Sequence, residues 1–252
     1  MSDMPPFAPE DIAPFARAGG PTGIVLCHGF TGTPASLRSW AEALADAGHT
    51  VAVPLLPGHG TSWQDANRHT WADWYGALEQ AFDEVQAACT TTFVAGLSMG
   101  GTLVTRLAEL RGSQVTGVIV VNAAFFSRRL DAKLVPLLRY VLRSARPVGN
   151  DIKRPGVTEP AYDRVPVRAA HQMMVGWKQT TAALPRLTQP LLVLTSREDH
   201  VVEPGNSELL LDRAGSTDKE RIWLEDSYHV ATMDNDLELI IDSTLAFIKA
   251  HT

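Results

Sequence analysis

Cysteine is scarce in this chain, with two among 252 residues, Cys27 and Cys89. Two thiols cannot make a disulfide framework. In a chain of this length they read as buried small hydrophobes in a reducing, cytoplasmic setting. Basic residues are also in deficit: 22 Lys and Arg stand against 28 Asp and Glu, a formal charge of −6. Phosphate backbones are bound by basic faces, so no nucleic-acid partner is expected. Long apolar runs are missing too, and nothing approaches the roughly 18 uninterrupted apolar residues of a spanning helix. The opening MSDMPPFAPEDIAPF has neither a basic n-region nor an apolar h-region and does not read as a signal peptide. Repeats and low-complexity segments are absent.

What is present suits one globular α/β domain over residues 1–252, with 45% hydrophobic and 20% charged residues. Short continuous apolar runs at 23–27, 50–53, 92–97, 117–122, 191–195 and 221–224 read as strands covered on both faces, as in a parallel sheet. Helical periodicity fills the gaps. Thr33 reads as an N-cap before Pro34, with Leu37, Trp40, Ala41 and Leu44 on one face and Gly48 as the stop. Thr70 and Asp73 have capping-box spacing, although Asp replaces the usual Glu or Gln. Behind them Trp71, Trp74, Tyr75, Leu78, Phe82 and Val85 form an apolar stripe read as core. Leu237, Ile240, Ile241, Leu245 and Ile248 do the same near the end. Residues 124–189 break the alternation: no strand is visible, and two helix-like stretches flank a Pro- and Gly-containing linker at 146–166. The expected architecture is a mostly parallel sheet with helices on both faces and a small insertion.

Gly96-Leu97-Ser98-Met99-Gly100 fits G-x-S-x-G between a strand and a helix. A sharp turn there forces the serine into a strained conformation, and the flanking glycines remove side chains that would clash. The helix behind Ser98 directs its N-terminal dipole at negative charge forming on the serine's partner. A serine hydroxyl is a weak nucleophile and needs a base held by a carboxylate. In this chain order, Ser then acid then His, the partners should follow later strands. Asp199 follows the 191–195 run and His229 follows the 221–224 run. Glu198 is an alternative carboxylate. His200 adjoins Asp199 too closely for their side chains to converge, and Asp226 is too near His229 to reach its far ring nitrogen. His49, His69, His171 and His251 read as solvated or capping groups.

The oxyanion of a tetrahedral intermediate needs backbone N–H donors. Met99, after the nucleophile, supplies one, and Phe30 in the loop His28-Gly29-Phe30-Thr31-Gly32 is the candidate for the other. His28 reads as a brace for that loop. Leu56-Pro57-Gly58-His59-Gly60 lacks partner ligands at metal spacing and reads as a tight turn, so no metal is expected.

These motifs together resemble the bacterial monoacylglycerol lipase and small carboxylesterase family of α/β-hydrolases. The resemblance implies hydrolysis of carboxylic esters, monoacylglycerols or related medium- and long-chain acyl esters, through a Ser98–His229–Asp199 triad without a cofactor. It also implies that 124–189 is a cap. Phe125, Phe126, Leu134, Leu138 and Met174 can line an acyl pocket with Phe30, or can be the core of that cap. The partner is then a small-molecule acyl ester, and the oligomeric state is left open, with a homodimer among the options. Two alternatives stand beside this reading: C–C hydrolysis or perhydrolysis on the same triad, and a non-catalytic binding protein with this fold.

Overall fold

The computed structural model describes residues 7–147 and 150–252. The sequence readings of residues 1–6, and of 148–149 in the linker, fall outside that range. The strands are β1 (Phe15–Arg17), β2 (Thr22–Cys27), β3 (Thr50–Val53), β4 (Thr91–Leu97), β5 (Gly117–Val121), β6 (Ser144–Ala145), β7 (Val165–Pro166), β8 (Leu191–Ser196) and β9 (Lys219–Leu224). The helices are α1 (Pro9–Ile12), α2 (Arg38–Asp46), α3 (Trp63–Ala66), α4 (Trp71–Ala88), α5 (Met99–Arg111), α6 (Leu130–Leu138), α7 (Val167–Ala183), α8 (Gly205–Arg213) and α9 (Leu237–Ala250).

Seven strands form one sheet in the order β1-β3-β2-β4-β5-β8-β9. Every pairing in it is parallel except β1 with β3. Parallel strands are joined by crossovers that cover both faces, which is why β2, β4, β5 and β8 are apolar almost throughout. Alternation along them then feeds two cores. Val25, Cys27 and Val94 face the core built with α4, α5, α7 and α8. Ile24, Leu26, Phe93 and Ala95 face the one built with α2 and α9. Trp40 Nε1 donates to Thr244 Oγ1 at 3.2 Å and ties α2 to α9 inside the second core.

The shortened capping box of α4 closes in both directions. Asp73 N–H reaches Thr70 Oγ1 at 3.3 Å, and Thr70 N–H reaches Asp73 Oδ2 at 2.7 Å. Trp71, Trp74, Leu78, Phe82 and Val85 are buried as the stripe predicts. The helix start at Thr33 differs from expectation. Pro34–Leu37 is a 3₁₀ turn, α2 begins at Arg38, and the buried Thr33 hydroxyl has no partner among the described residues. Strand β1 was not legible either, because three residues on an edge carry no period.

Between β5 and β8 lie α6, the two-residue ladder β6–β7, and α7. The ladder is the strand structure that the apolar pattern of 124–189 did not predict. α7 packs into the helix layer: Thr180 is buried, and Gly176 lies so close to the Trp71 ring that a Cβ would collide with it. α6 is turned the other way, with Leu130, Leu134 and Leu137 exposed, as is Val141 just beyond its end. Among the described residues, no helix is long and apolar enough to cross a membrane.

Candidate active site

The turn between β4 and α5 carries Ser98 at φ 55°, ψ −119°, a region L residues rarely occupy. Two glycines explain why the turn closes. A Cβ on Gly100 would sit inside the Cys27 carbonyl, and one on Gly96 would run into the Gly100 backbone. The strain is held by bonds on both sides: Ser98 N–H donates to Val121 O at 2.9 Å, and Ala124 N–H to Ser98 O at 3.3 Å. Ser98 Oγ is thereby presented at the carboxyl ends of the central strands, where ligands bind in open α/β sheets.

His229 Nε2 lies 3.0 Å from Ser98 Oγ, and its Nδ1 lies 2.8 Å from Asp199 Oδ2. In the neutral ring Nδ1–H donates to the carboxylate, leaving Nε2 to accept the serine proton. Asp199 Oδ1 meanwhile accepts the N–H groups of Val201 and Val202 at 2.8 and 2.7 Å, which fixes its rotamer. Burial opposes charging of the His229 ring. The charge and hydrogen bond of Asp199, with the charges of Glu159 and Asp151, outweigh burial and raise its pKa above the ordinary 6.5.

The competing groups go elsewhere. His200 bonds Asp151 Oδ1 at 2.8 Å, Glu198 is exposed beside His200, and Asp226 pairs with Lys153 at 2.9 Å. His28 braces its loop from below: Nδ1–H donates to Gly29 O at 3.0 Å and Nε2 accepts Leu56 N–H at 3.2 Å. Burial lowers its pKa to about 4, so it holds this neutral form. Gly58 and Gly60 both have positive φ, the tight turn expected there. The Phe30, His59 and Trp74 rings pack edge to face above this brace, so the α4 stripe also supports the loop beside Ser98.

Among the described residues, the Phe30 and Met99 amides donate to no protein acceptor. A Cβ on Gly29 would lie 3.5 Å from Ser98 Cβ, so the loop carrying Phe30 abuts the serine.

A cavity of about 230 Å³ opens onto Ser98 and His229. Its wall is largely apolar and includes Phe30, Phe126, Val135, Leu138, Met173 and Trp177. Of the residues considered for a pocket, Phe30, Phe126 and Leu138 line it, whereas Phe125, Leu134 and Met174 do not. The Phe125 and Phe126 amides both donate to Asn206 Oδ1, at 2.7 and 2.8 Å, and this turn sends Phe125 into the core and Phe126 into the cavity. On α6 the cavity face carries Val135 and Leu138, so Leu134 points to solvent. On α7 Met173 and Trp177 share the inward face, and Met174, one residue or about 100° on, is turned away.

Two residues here had no sequence signal. Asn122, at φ 46°, donates to Ser196 Oγ at 2.8 Å and His229 O at 2.9 Å, and accepts Ser196 N–H at 2.8 Å. It ties the ends of β5 and β8 to the histidine loop. Glu159 places a carboxyl in the cavity wall, and no described residue donates a side-chain hydrogen bond to it. Burial pushes its pKa up to about 7, against the pull of His229. An Asn after a strand reads as a terminator, and a Glu in a Pro-Gly linker reads as solvated.

The sheet order, the strained serine turn between β4 and α5, and the later strands ending in Asp199 and His229 define an α/β-hydrolase. Residues 22–236 match the family described as Hydrolase_4, serine aminopeptidase, S33, and the chain belongs to that family. It is 42% identical to the thermostable monoacylglycerol lipase of Bacillus sp. (strain H-257), over 100% of this chain and 99% of that one. A solved structure from work on LipS and LipT, two metagenome-derived lipolytic enzymes, superposes with a TM-score of 0.94 at 40% identity, covering 96% of this chain and 99% of that one. The monoacylglycerol lipase of Paleococcus ferrophilus shares the fold, with a TM-score of 0.80 at 17% identity over 96% of this chain and 99% of that one.

Proposed function

We propose that this chain is a carboxylic ester hydrolase acting on monoacylglycerols, with Ser98 as nucleophile, His229 as base and Asp199 as the group that orients and charges it. The observation that carries the reading is the unbroken chain from Asp199 through His229 to Ser98 Oγ, at 2.8 and 3.0 Å, opening on an apolar cavity. His229 takes the Ser98 proton as Oγ attacks the ester carbonyl, and the Phe30 and Met99 amides receive the oxyanion. The protonated ring then gives its proton to the departing alcohol. Water attacks the acyl-enzyme with His229 again as base, releasing the acid.

The substrate class follows from the cavity and the relatives together. An apolar wall suits one acyl chain. Glu159, the carboxylate near His229, suits hydroxyls on the alcohol side of the ester. Residues 124–189 act in this reading as a cap, supplying Val135 and Leu138 from α6 and Met173 and Trp177 from α7. A cytoplasmic setting is supported by Cys27 and Cys89, both unpaired thiols.

Purified protein is to be assayed on mono-, di- and triacylglycerols of one chain length, with p-nitrophenyl esters as a length series. Turnover of the monoacyl substrate should dominate. Ser98→Ala should abolish both hydrolysis and fluorophosphonate labelling. Labelling that survives this change would remove Ser98 from the mechanism. Equal turnover of triacylglycerol would overturn the substrate class.

A further inference from the structure

The segment at 150–166, a plain linker in sequence, is stitched to the loop that carries His229. Asp151 Oδ2 accepts the backbone N–H of His229 at 3.2 Å and of His200 at 3.0 Å. Its Oδ1 takes the His200 ring at 2.8 Å, and its backbone O accepts Val230 N–H at 3.1 Å. The tie is returned from the other side. The buried Asp234 accepts Lys153 and Arg154 N–H, at 2.7 and 2.9 Å, together with Tyr228 N–H at 2.9 Å. Further along, the Tyr162 hydroxyl donates to Gly58 O and accepts Thr61 N–H at 3.2 Å, anchoring the segment's far end beside the oxyanion loop.

We propose that Asp151 is a positioning residue for His229: one carboxylate oxygen fixes the histidine's backbone while the negative charge favours the imidazolium formed in each proton transfer. This rests on His229 acting as the base. Asp151 does not line the cavity, so its effect reaches the reaction through His229 alone. Three carboxylates act on that ring: Asp199 from the loop after β8, and Glu159 and Asp151 from the strap between β6 and β7. Two basic groups lie near them: His200, held by Asp151 with its pKa raised by that bond, and Lys153, paired with Asp226. Asp199 carries the ring's Nδ1, and Asp151 carries its main chain. A charge hydrogen-bonded to a backbone amide makes a stronger tie than a neutral acceptor would.

The test is the pH dependence of p-nitrophenyl butyrate hydrolysis by the whole enzyme and its variants. Asp151→Asn keeps shape and one acceptor but loses the charge. Its kcat should fall about tenfold, its KM stay within about twofold, and the acid limb of kcat/KM move about half a unit to lower pH. Asp234→Asn loosens the strap at a carboxylate that is not among the charges raising the His229 pKa, so it should lower Tm and leave the limb in place. Asp151→Glu keeps the charge with the amides out of register: kcat should fall with the limb unmoved, which also serves if Asp151→Asn does not fold. An Asp151→Asn enzyme with wild-type kcat and limb, or one that loses only Tm, would overturn the proposal. His229→Ala separates the two readings, because activity surviving that change removes the base itself.

Discussion

The Asn122 side chain makes four hydrogen bonds, with Ser196 N–H and Oγ and with the carbonyls of Tyr228 and His229, and so fixes the main chain of His229 without a hydrogen bond to its ring. Its amide holds Ser196 and the His229 carbonyl, so truncation leaves a buried N–H and a buried C=O without partners. Each such orphan costs about 1–3 kcal/mol. An alanine must also accept φ 46°, which Asn tolerates better. Asn122→Ala should therefore lose about 2–5 kcal/mol in urea unfolding and lower kcat more than it raises KM, because the cavity wall is left intact. A variant of wild-type stability would show that water replaces the amide. The contrast with Ser98, Asp199 and His229 is instructive. Those three stand at strand ends in a fixed chain order, which a sequence displays. Asn122 works through main-chain groups of residues 74 and 107 positions away, and no local pattern records that.

Elements show the same division. Helices α2, α4 and α9 announce themselves through apolar stripes, and the parallel strands through continuous Val, Ile and Leu runs. The segment 124–189 does not, because its helices answer to two different surroundings. α6 keeps Val135 and Leu138 on the cavity and leaves Leu130, Leu134 and Leu137 in solvent, so apolarity alone could not say which face turned inward. In α7 a one-residue error of phase exchanged Met173 for Met174. Gly176 tests how firmly α7 belongs to the body. Alanine is the better helix former by about 1 kcal/mol, yet its Cβ would strike the Trp71 ring. Overpacking of this kind costs about 1–3 kcal/mol, and it should win because the obstacle is the ring of a buried indole and not the end of a flexible side chain. Gly176→Ala should lower Tm by about 2–8 °C in a calorimetric scan. A rise in Tm would mean that α7 lifts freely and belongs with α6 in a mobile cap.

At the scale of the molecule, stability and activity ask for different pH. His28 and His59 are buried and neutral, with pKa values lowered below the 6.5 expected of the open chain. The unfolded chain binds protons there first, so they contribute stability above about 6.5 that is lost as pH falls below it, toward about 4 for His28. Glu109 and Glu159 run the opposite way. Burial raises both to about 7, so the folded state holds their protons longer and stability falls as pH rises from about 4.5 through 7. His229, raised above 6.5, adds to that decline, because its share is present below 6.5 and goes as pH passes its folded value. Catalysis needs His229 unprotonated in the free enzyme, so kcat/KM should climb over the interval in which these three groups withdraw their support. The Tm maximum should therefore lie at lower pH than the kcat/KM plateau, with the acid limb centred above 6.5. Glu159→Gln separates the two demands. The amide cannot ionise in the cavity wall, so Tm should rise relative to wild type at pH about 8 and change little at pH about 5. The loss of its charge should move the acid limb downward. Monoacylglycerol turnover should fall more than that of a p-nitrophenyl ester, which has no hydroxyls for Glu159 to hold. Equal losses on both substrates would leave Glu159 acting on the ring alone.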